Sequence, residues 1–143
     1  MAAHTARNAS ARARRPIIVE DAGLFIDALR GFPGVYSAYA LKTIGLLGVV
    51  KLLKGSRSRR ASFVSSVAYC EPGGEPEVFD GRVLGTISVA PRGSGGFGFD
   101  PLFVPSGGEK TFGELSIEEK CEISHRSRAL RKFAAWYSSR SQE

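Results

Sequence analysis

The apolar positions of this chain fall in short blocks separated by glycine, proline and charge. Ile17-Ile18-Val19, directly after Pro16, is a β-branched run that predicts a buried strand ending on two acids, Glu20 and Asp21. Residues 24–29 are again apolar, and Gly31-Phe32-Pro33-Gly34 marks a turn. Over residues 37–54 the spacing of Leu41, Ile44, Val49, Leu52 and Leu53 predicts one helix, closed by Gly55 as its C-cap. Residues 61–69 and 78–89, rich in Val, Phe, Ile and Thr, predict two strands joined by the hairpin loop Glu71-Pro72-Gly73-Gly74-Glu75-Pro76. A Gly-rich loop follows at 91–98, then a short apolar segment at 101–105. Ser116 and Glu119 have the spacing of a capping box and predict a short helix. Ser124 is predicted to cap a last helix with Leu130, Phe133, Ala134 and Tyr137 on its apolar face. No internal repeat is present. The order predicts one α/β domain over residues 1–143, a mixed central sheet with flanking helices.

Composition narrows the class. Hydrophobic residues are 43% and charged residues 24% of 143, the balance of a globular domain rather than a disordered or low-complexity chain. The most apolar run, residues 44–53, is interrupted by Gly45, Gly48 and Lys51, so no membrane span is expected. Cys70 and Cys121 lie far apart and outside any Cys-x-x-Cys pattern, which predicts a reduced, intracellular protein rather than a disulfide scaffold or a zinc ribbon; the localisation expected is cytoplasmic. Residues 1–15 are rich in Ala and Arg and contain no acid, a composition shared by mitochondrial transit peptides and by a helix stopping at Pro16. Charge is uneven: residues 1–60 hold eleven Lys/Arg against three Asp/Glu, net +8, whereas residues 61–143 are net −2. Such a basic half favours an anionic partner without saying which.

Two phosphate-loop patterns fail on context. Gly93-Ser94-Gly95-Gly96-Phe97-Gly98 matches G-x-G-x-x-G, but Asp100-Pro101 and an extended segment follow where a helix is required. Gly107-Gly108-Glu109-Lys110-Thr111 carries Glu109 where a P-loop requires glycine. Three other groups keep a chemical reading beside a structural one. The acids at a strand end can hold Mg²⁺ or take a proton from water, or simply be solvated, and adjacent strand residues face opposite sides. Phe97 and Phe99 can stack a base or fill the core. Lys120, His125 and Arg126 sit near a helix start, where cationic donors suit an anionic ligand or merely face water. Taken together they describe a nucleotide site with hydrolytic chemistry.

The segments Val19-Glu20-Asp21-Ala22-Gly23-Leu24, Gly31-Phe32-Pro33-Gly34-Val35-Tyr36-Ser37-Ala38, Gly96-Phe97-Gly98-Phe99-Asp100-Pro101 and Glu119-Lys120-Cys121-Glu122-Ile123-Ser124-His125-Arg126, in this order and spacing, resemble the inosine triphosphate pyrophosphatase family, also called XTP/dITP diphosphatases. The resemblance runs from about residue 5 to residue 137, and Tyr39-Ala40-Leu41-Lys42-Thr43-Ile44-Gly45 is most similar to archaeal members. It implies an α/β fold with a nucleotide cleft, usually homodimeric. It also implies Mg²⁺-dependent hydrolysis of ITP, dITP and XTP to the monophosphate and pyrophosphate. Asp21 matches the catalytic acid that helps hold the metal and activates water. Ala22 stands where many members have Ser or Thr beside the phosphates, leaving only its backbone to serve. Phe97, Gly98, Phe99 and Asp100 match the base-reading loop, and Lys120, His125 and Arg126 the remaining nucleotide contacts.

Base chemistry agrees with that implication. Hypoxanthine and xanthine carry a keto oxygen at C6, whereas adenine would leave a buried Lys or Arg donor unpaired at a cost of about 1–3 kcal/mol. The family pattern also includes a first strand with a Thr/Ser-Gly-Asn…Lys phosphate loop and a second metal carboxylate, and nothing before Thr5 matches either. The expectation is therefore a form lacking the N-terminal strand, with residues 5–15 aligned as body helix rather than a targeting segment. The alternatives are a catalytically weak binding or dimerisation module and a basic single-stranded nucleic-acid-binding protein. The expected partners are a purine nucleoside triphosphate and a second copy of the chain, rather than nucleic acid or a membrane.

Overall fold

The structure is a computed structural model that describes residues 2–140. Its helices are α1 (Ala2–Ala13), α2 (Ser37–Thr43), α3 (Gly45–Leu52), α4 (Ile117–Ile123) and α5 (His125–Arg140). Its strands are β1 (Ile17–Ile26), β2 (Arg60–Cys70), β3 (Glu77–Ile87) and β4 (Phe103–Pro105), in the sheet order β1-β2-β3-β4. The α/β layering matches the expectation. The sheet was expected to be mixed, but all three pairings described are antiparallel. β2 and β3 form the predicted hairpin, and the helical excursion from β1 returns the chain alongside β1 in the opposite direction.

β1 does not end at its acids. It runs ten residues to Ile26, paired in register from Ile17↔Cys70 to Ile26↔Ala61. Its period of two puts Glu20, Ala22, Leu24 and Ile26 on one face and Val19, Asp21 and Gly23 on the other. The first face meets the main core, where Leu24 and Ile26 pack with Phe63, Val83, Ile87, Val49, Leu53, Phe99, Phe103 and Phe112. α1 covers part of the second face with its small residues, Ala2 and Ala6 against Ala68, Cys70 and Val19.

The single helix expected over 37–54 is two helices meeting at 116°. Gly45 breaks it, with φ at +67°, a left-handed conformation that side chains resist. The bend lets Val49 and Leu53 reach the core while Ala40 packs from α2. No single described helix is long and apolar enough to cross a membrane. The apolar face of α5 also differs from expectation. Leu130 is 43% exposed and Ala134 is exposed, whereas Phe133 and Trp136 pack against Tyr69 and Phe79.

Candidate active site

Capping fixes where α5 begins. Ser127 donates its N–H to Ser124 Oγ at 3.1 Å, so His125 and Arg126 occupy the first helical turn. That turn lies directly on β3: a Cβ at Gly81 would sit 2.1 Å from the His125 carbonyl oxygen and 2.5 Å from the Ala129 nitrogen. Glycine here permits the helix to touch the strand backbone. The predicted capping box of α4 is present, with Glu119 N–H donating to Ser116 Oγ at 3.1 Å and Ser116 N–H to Glu119 Oε1 at 3.0 Å. It sets the turn that carries Lys120.

Arg126 reaches back to β1. Its Nε donates to Glu20 Oε1 at 3.0 Å and its Nη2 to Oε2 at 3.4 Å, while the fully buried Ser65 donates Oγ–H to the same Oε1 at 2.8 Å. The Arg126 guanidinium lies 4.7 Å and Lys120 Nζ 4.6 Å from the centre of the Phe97 ring. Lys120 also donates to Asp100 Oδ2 at 2.5 Å, and that oxygen accepts the Phe97 N–H at 3.0 Å. Asp100 is thus a buried clasp for the 97–100 turn. The two phenylalanines divide the roles left open by sequence: Phe99 is in the core at 4% exposure, and Phe97 is 60% exposed.

His125 is the opposite of a solvated helix end. It is buried, and its ring stacks on Phe63 at 4.5 Å between centres. Burial first, then the neighbouring Arg126 and Lys120 cations, pushes its pKa down to about 4, so the ring is neutral at pH 7. Its Nδ1 is the only buried side-chain nitrogen or oxygen without a partner among the described residues. His4, by contrast, is on α1, where its Nε2 pairs with the Asn8 side chain at 3.2 Å.

These groups surround one cavity of about 250 Å³. Its wall comprises β1 from Glu20 to Leu24, Ser37, Ala38 and Leu41 of α2, residues 97–100, His125 and Arg126, with Phe63 at the base. Of the sequence-predicted residues, only Lys120 lies outside this wall. It lines a neighbouring cavity of about 510 Å³ that shares Phe97, His125 and Arg126. A third cavity, about 160 Å³, shares Asp21, Ala22 and Gly23 with the first but opens between Ala2, Gly34, Val35 and Ser66. The two therefore meet along β1.

That meeting line is the outer edge of the sheet. Leu24 N–H donates to Ser37 Oγ at 2.9 Å and the Ile26 carbonyl accepts from Gly31, so these residues direct their backbone groups away from β2. By the period of the antiparallel ladder, Ala22 and Glu20 do the same. The Ala22 N–H is thereby offered at the junction of the cavities. Asp21 lies in the strand interior rather than at its end, on the face opposite Glu20. Among the described residues its carboxylate has no hydrogen bond or ion pair, and no three His, Cys, Asp or Glu side chains gather as a metal site. Glu20 was expected only as one of two candidate acids for metal or proton, not as a partner of Arg126, and Ser65 was not expected at the site. A signal for Ser65 exists, because it is the polar member of an inward series with Phe63 and Val67. The partnership of Glu20 with Arg126, 106 residues away, has no local signature.

The Ham1 family profile matches residues 1–136. The dITP/XTP pyrophosphatase of Methanopyrus kandleri is 56% identical over 137 residues, covering 96% of this chain and 73% of that protein. The dITP/XTP pyrophosphatase of Thermococcus kodakarensis is 58% identical over 121 residues, 85% of this chain and 65% of that protein. The Coxiella burnetii HAM1 protein superposes with a TM-score of 0.91 at 32% identity, covering 96% of this chain and 75% of that one. The Staphylococcus aureus Ham1 protein gives 0.87 at 36% identity, with 94% and 73% covered. The chain spans 64–75% of the length of the curated relatives it matches.

Proposed function

The chain belongs to the Ham1 family, and from that premise we propose that it is a single nucleotide-hydrolysing domain that splits dITP, ITP and XTP into the monophosphate and pyrophosphate. The observation that carries this reading is the convergence of Asp21, Ala22, residues 97–100, His125 and Arg126 on one cavity. The relatives named dITP/XTP pyrophosphatase support the same substrate class.

The base enters beside Phe97, whose exposed ring offers a stacking face, and Arg126 and Lys120 supply donors for a 6-keto oxygen. The unpaired Nδ1 of the neutral His125 finds its partner in a polar group of the substrate, relieving a cost of about 1–3 kcal/mol. The phosphates follow the open edge of β1, where the Ala22 N–H donates to an oxygen. Asp21, on the same strand and without a protein partner among the described residues, accepts the proton of the water that attacks the α-phosphorus; the bond to the bridging oxygen breaks and pyrophosphate leaves. A lone free carboxylate beside a phosphate path also suits Mg²⁺, which is commonly held by one or two carboxylates plus substrate phosphates and keeps several waters. Bound by Asp21, Mg²⁺ would neutralise charge on the phosphates. A homodimer suits the exposed apolar side chains Val35, Tyr36, Tyr39 and Leu47, and the two free cysteines suit the reducing cytoplasm.

The test is pyrophosphate release from ITP, dITP and XTP against ATP, with Mg²⁺. The deaminated substrates are expected to be preferred. Asp21→Asn, which keeps shape and removes charge, is expected to lower turnover by about a hundredfold or more. Equal rates on ATP, or near-normal turnover by Asp21→Asn, would count against the reading.

A further inference from the structure

Arg126 is held by an arrangement that the proposed chemistry does not by itself require. The Ser65 hydroxyl, fully buried, spends its one proton on Glu20 Oε1. That bond fixes the carboxylate, which receives Arg126 side-on through Nε and Nη2. A guanidinium has five N–H donors, so three remain for other acceptors. The same guanidinium lies against Phe97, the exposed ring of the cavity. The side chains of Arg126 and Glu20 are 35% and 29% exposed, and a pair so accessible to water contributes little to stability. Its effect is orientational: it removes rotamer freedom from a long side chain before a ligand arrives. Lys120 receives matching treatment from the buried Asp100, so both cations beside Phe97 are anchored by a carboxylate.

We propose that Glu20, itself held by Ser65, is a positioning residue that presents the Arg126 guanidinium beside Phe97 and so sets the choice between 6-keto and 6-amino purines through Arg126 rather than by a contact of its own. The proposal rests on the function proposed above. It separates the adjacent acids by role. Asp21 faces the phosphate path and the proton, whereas Glu20, on the opposite face of the same strand, serves base selection.

The test uses the purified chain and its variants Glu20→Gln, Glu20→Ala, Arg126→Ala and the double variant Glu20→Ala/Arg126→Ala. Glu20→Gln keeps an acceptor for Ser65 while removing the charge, and thereby guards against a folding defect. Kinetics on ITP and ATP and calorimetric binding of IMP and AMP are measured alongside Tm. Glu20→Gln is expected to keep its Tm within about 2 °C, to narrow the ITP-to-ATP ratio of kcat/KM by about tenfold, and to act on KM for ITP more than on kcat. The double variant is expected to match Arg126→Ala, because groups acting in series do not add. An unchanged ITP-to-ATP ratio in Glu20→Gln, or additive losses in the double variant, overturns the positioning role. Should the unsubstituted chain bind IMP without hydrolysing ITP, the hydrolytic reading fails. Positioning is then decided by whether Glu20→Gln narrows the IMP-to-AMP affinity ratio. Binding of neither nucleotide overturns both.

Discussion

At the scale of single residues, His125 joins the site to the stability of the core. Its ring is stacked on Phe63 and held neutral by burial and two neighbouring cations, with a pKa of about 4 in the folded chain. In the unfolded chain it titrates near the ordinary histidine value, about 6.5. The unfolded state therefore binds more protons between these values, and stability falls as pH drops from about 6.5 towards 4. A gap of this size corresponds to a loss on the order of 3 kcal/mol across that window, with the full contribution present above it. Urea midpoints measured from pH 7 down to about 4 are expected to fall steeply, and in His125→Phe the part due to this residue is expected to vanish. An equally steep fall in His125→Phe would assign the acid sensitivity to the carboxylates instead. The identities of these residues were legible in the sequence, but their environments were not. Phe97 and Phe99 read alike by type, and only packing separates an exposed ring from a core one. Glu20 reads as a solvated strand end until α5 brings Arg126 to it.

At the scale of elements, the site is built by contacts that sequence periodicity records poorly. Caps were legible because they are local: Ser116 with Glu119 and Ser124 with Ser127 both form as expected. The β2–β3 hairpin was legible for the same reason. The length of β1 was not, because charge at Glu20 and Asp21 looks like a terminus, whereas a partner 106 residues away accommodates one acid and an open sheet edge the other. The break at Gly45 was also missed, since the apolar spacing across it continues the helical period. The junction most consequential for the site is Gly81 under α5. Gly81→Ala would press a methyl group into the backbone of His125 and Ala129, an overpacking cost of about 1–3 kcal/mol that the helix can relieve only by moving. Moving it displaces His125 and Arg126 together. Gly81→Ala is expected to lower Tm and to reduce pyrophosphate release from ITP at least about tenfold. Gly108→Ala, where a Cβ would come no closer than 3.4 Å to the Pro105 carbonyl oxygen and φ is not positive, is expected to change neither.

At the scale of the whole molecule, the charge asymmetry seen in the sequence acquires a place. No acid occurs from residue 28 to residue 70, while Arg30, Lys42, Lys51, Lys54, Arg57, Arg59 and Arg60 do. Arg59 is committed to the carbonyls of Ile87, Ser88 and Leu53, but Lys51, Lys54, Arg57 and Arg60 are exposed, and no ion pair among the described residues engages them. The two adjoining cavities add Lys120 and Arg126, whose charges are already matched by Asp100 and Glu20. The unmatched positive field therefore comes from the surface rather than from the site, and it acts on the approach of a triphosphate more than on its chemistry. Raising salt from about 0.05 to 0.5 M shortens the screening length severalfold and weakens interactions between exposed charges. The expected signature is a fall in kcat/KM for ITP with rising salt while kcat stays nearly constant, and a shallower fall in a Lys51→Gln/Lys54→Gln/Arg57→Gln variant. A single-stranded oligonucleotide should bind weakly throughout. Tight binding that falls steeply with salt and is lost in the same variant would instead make this surface a nucleic-acid interface.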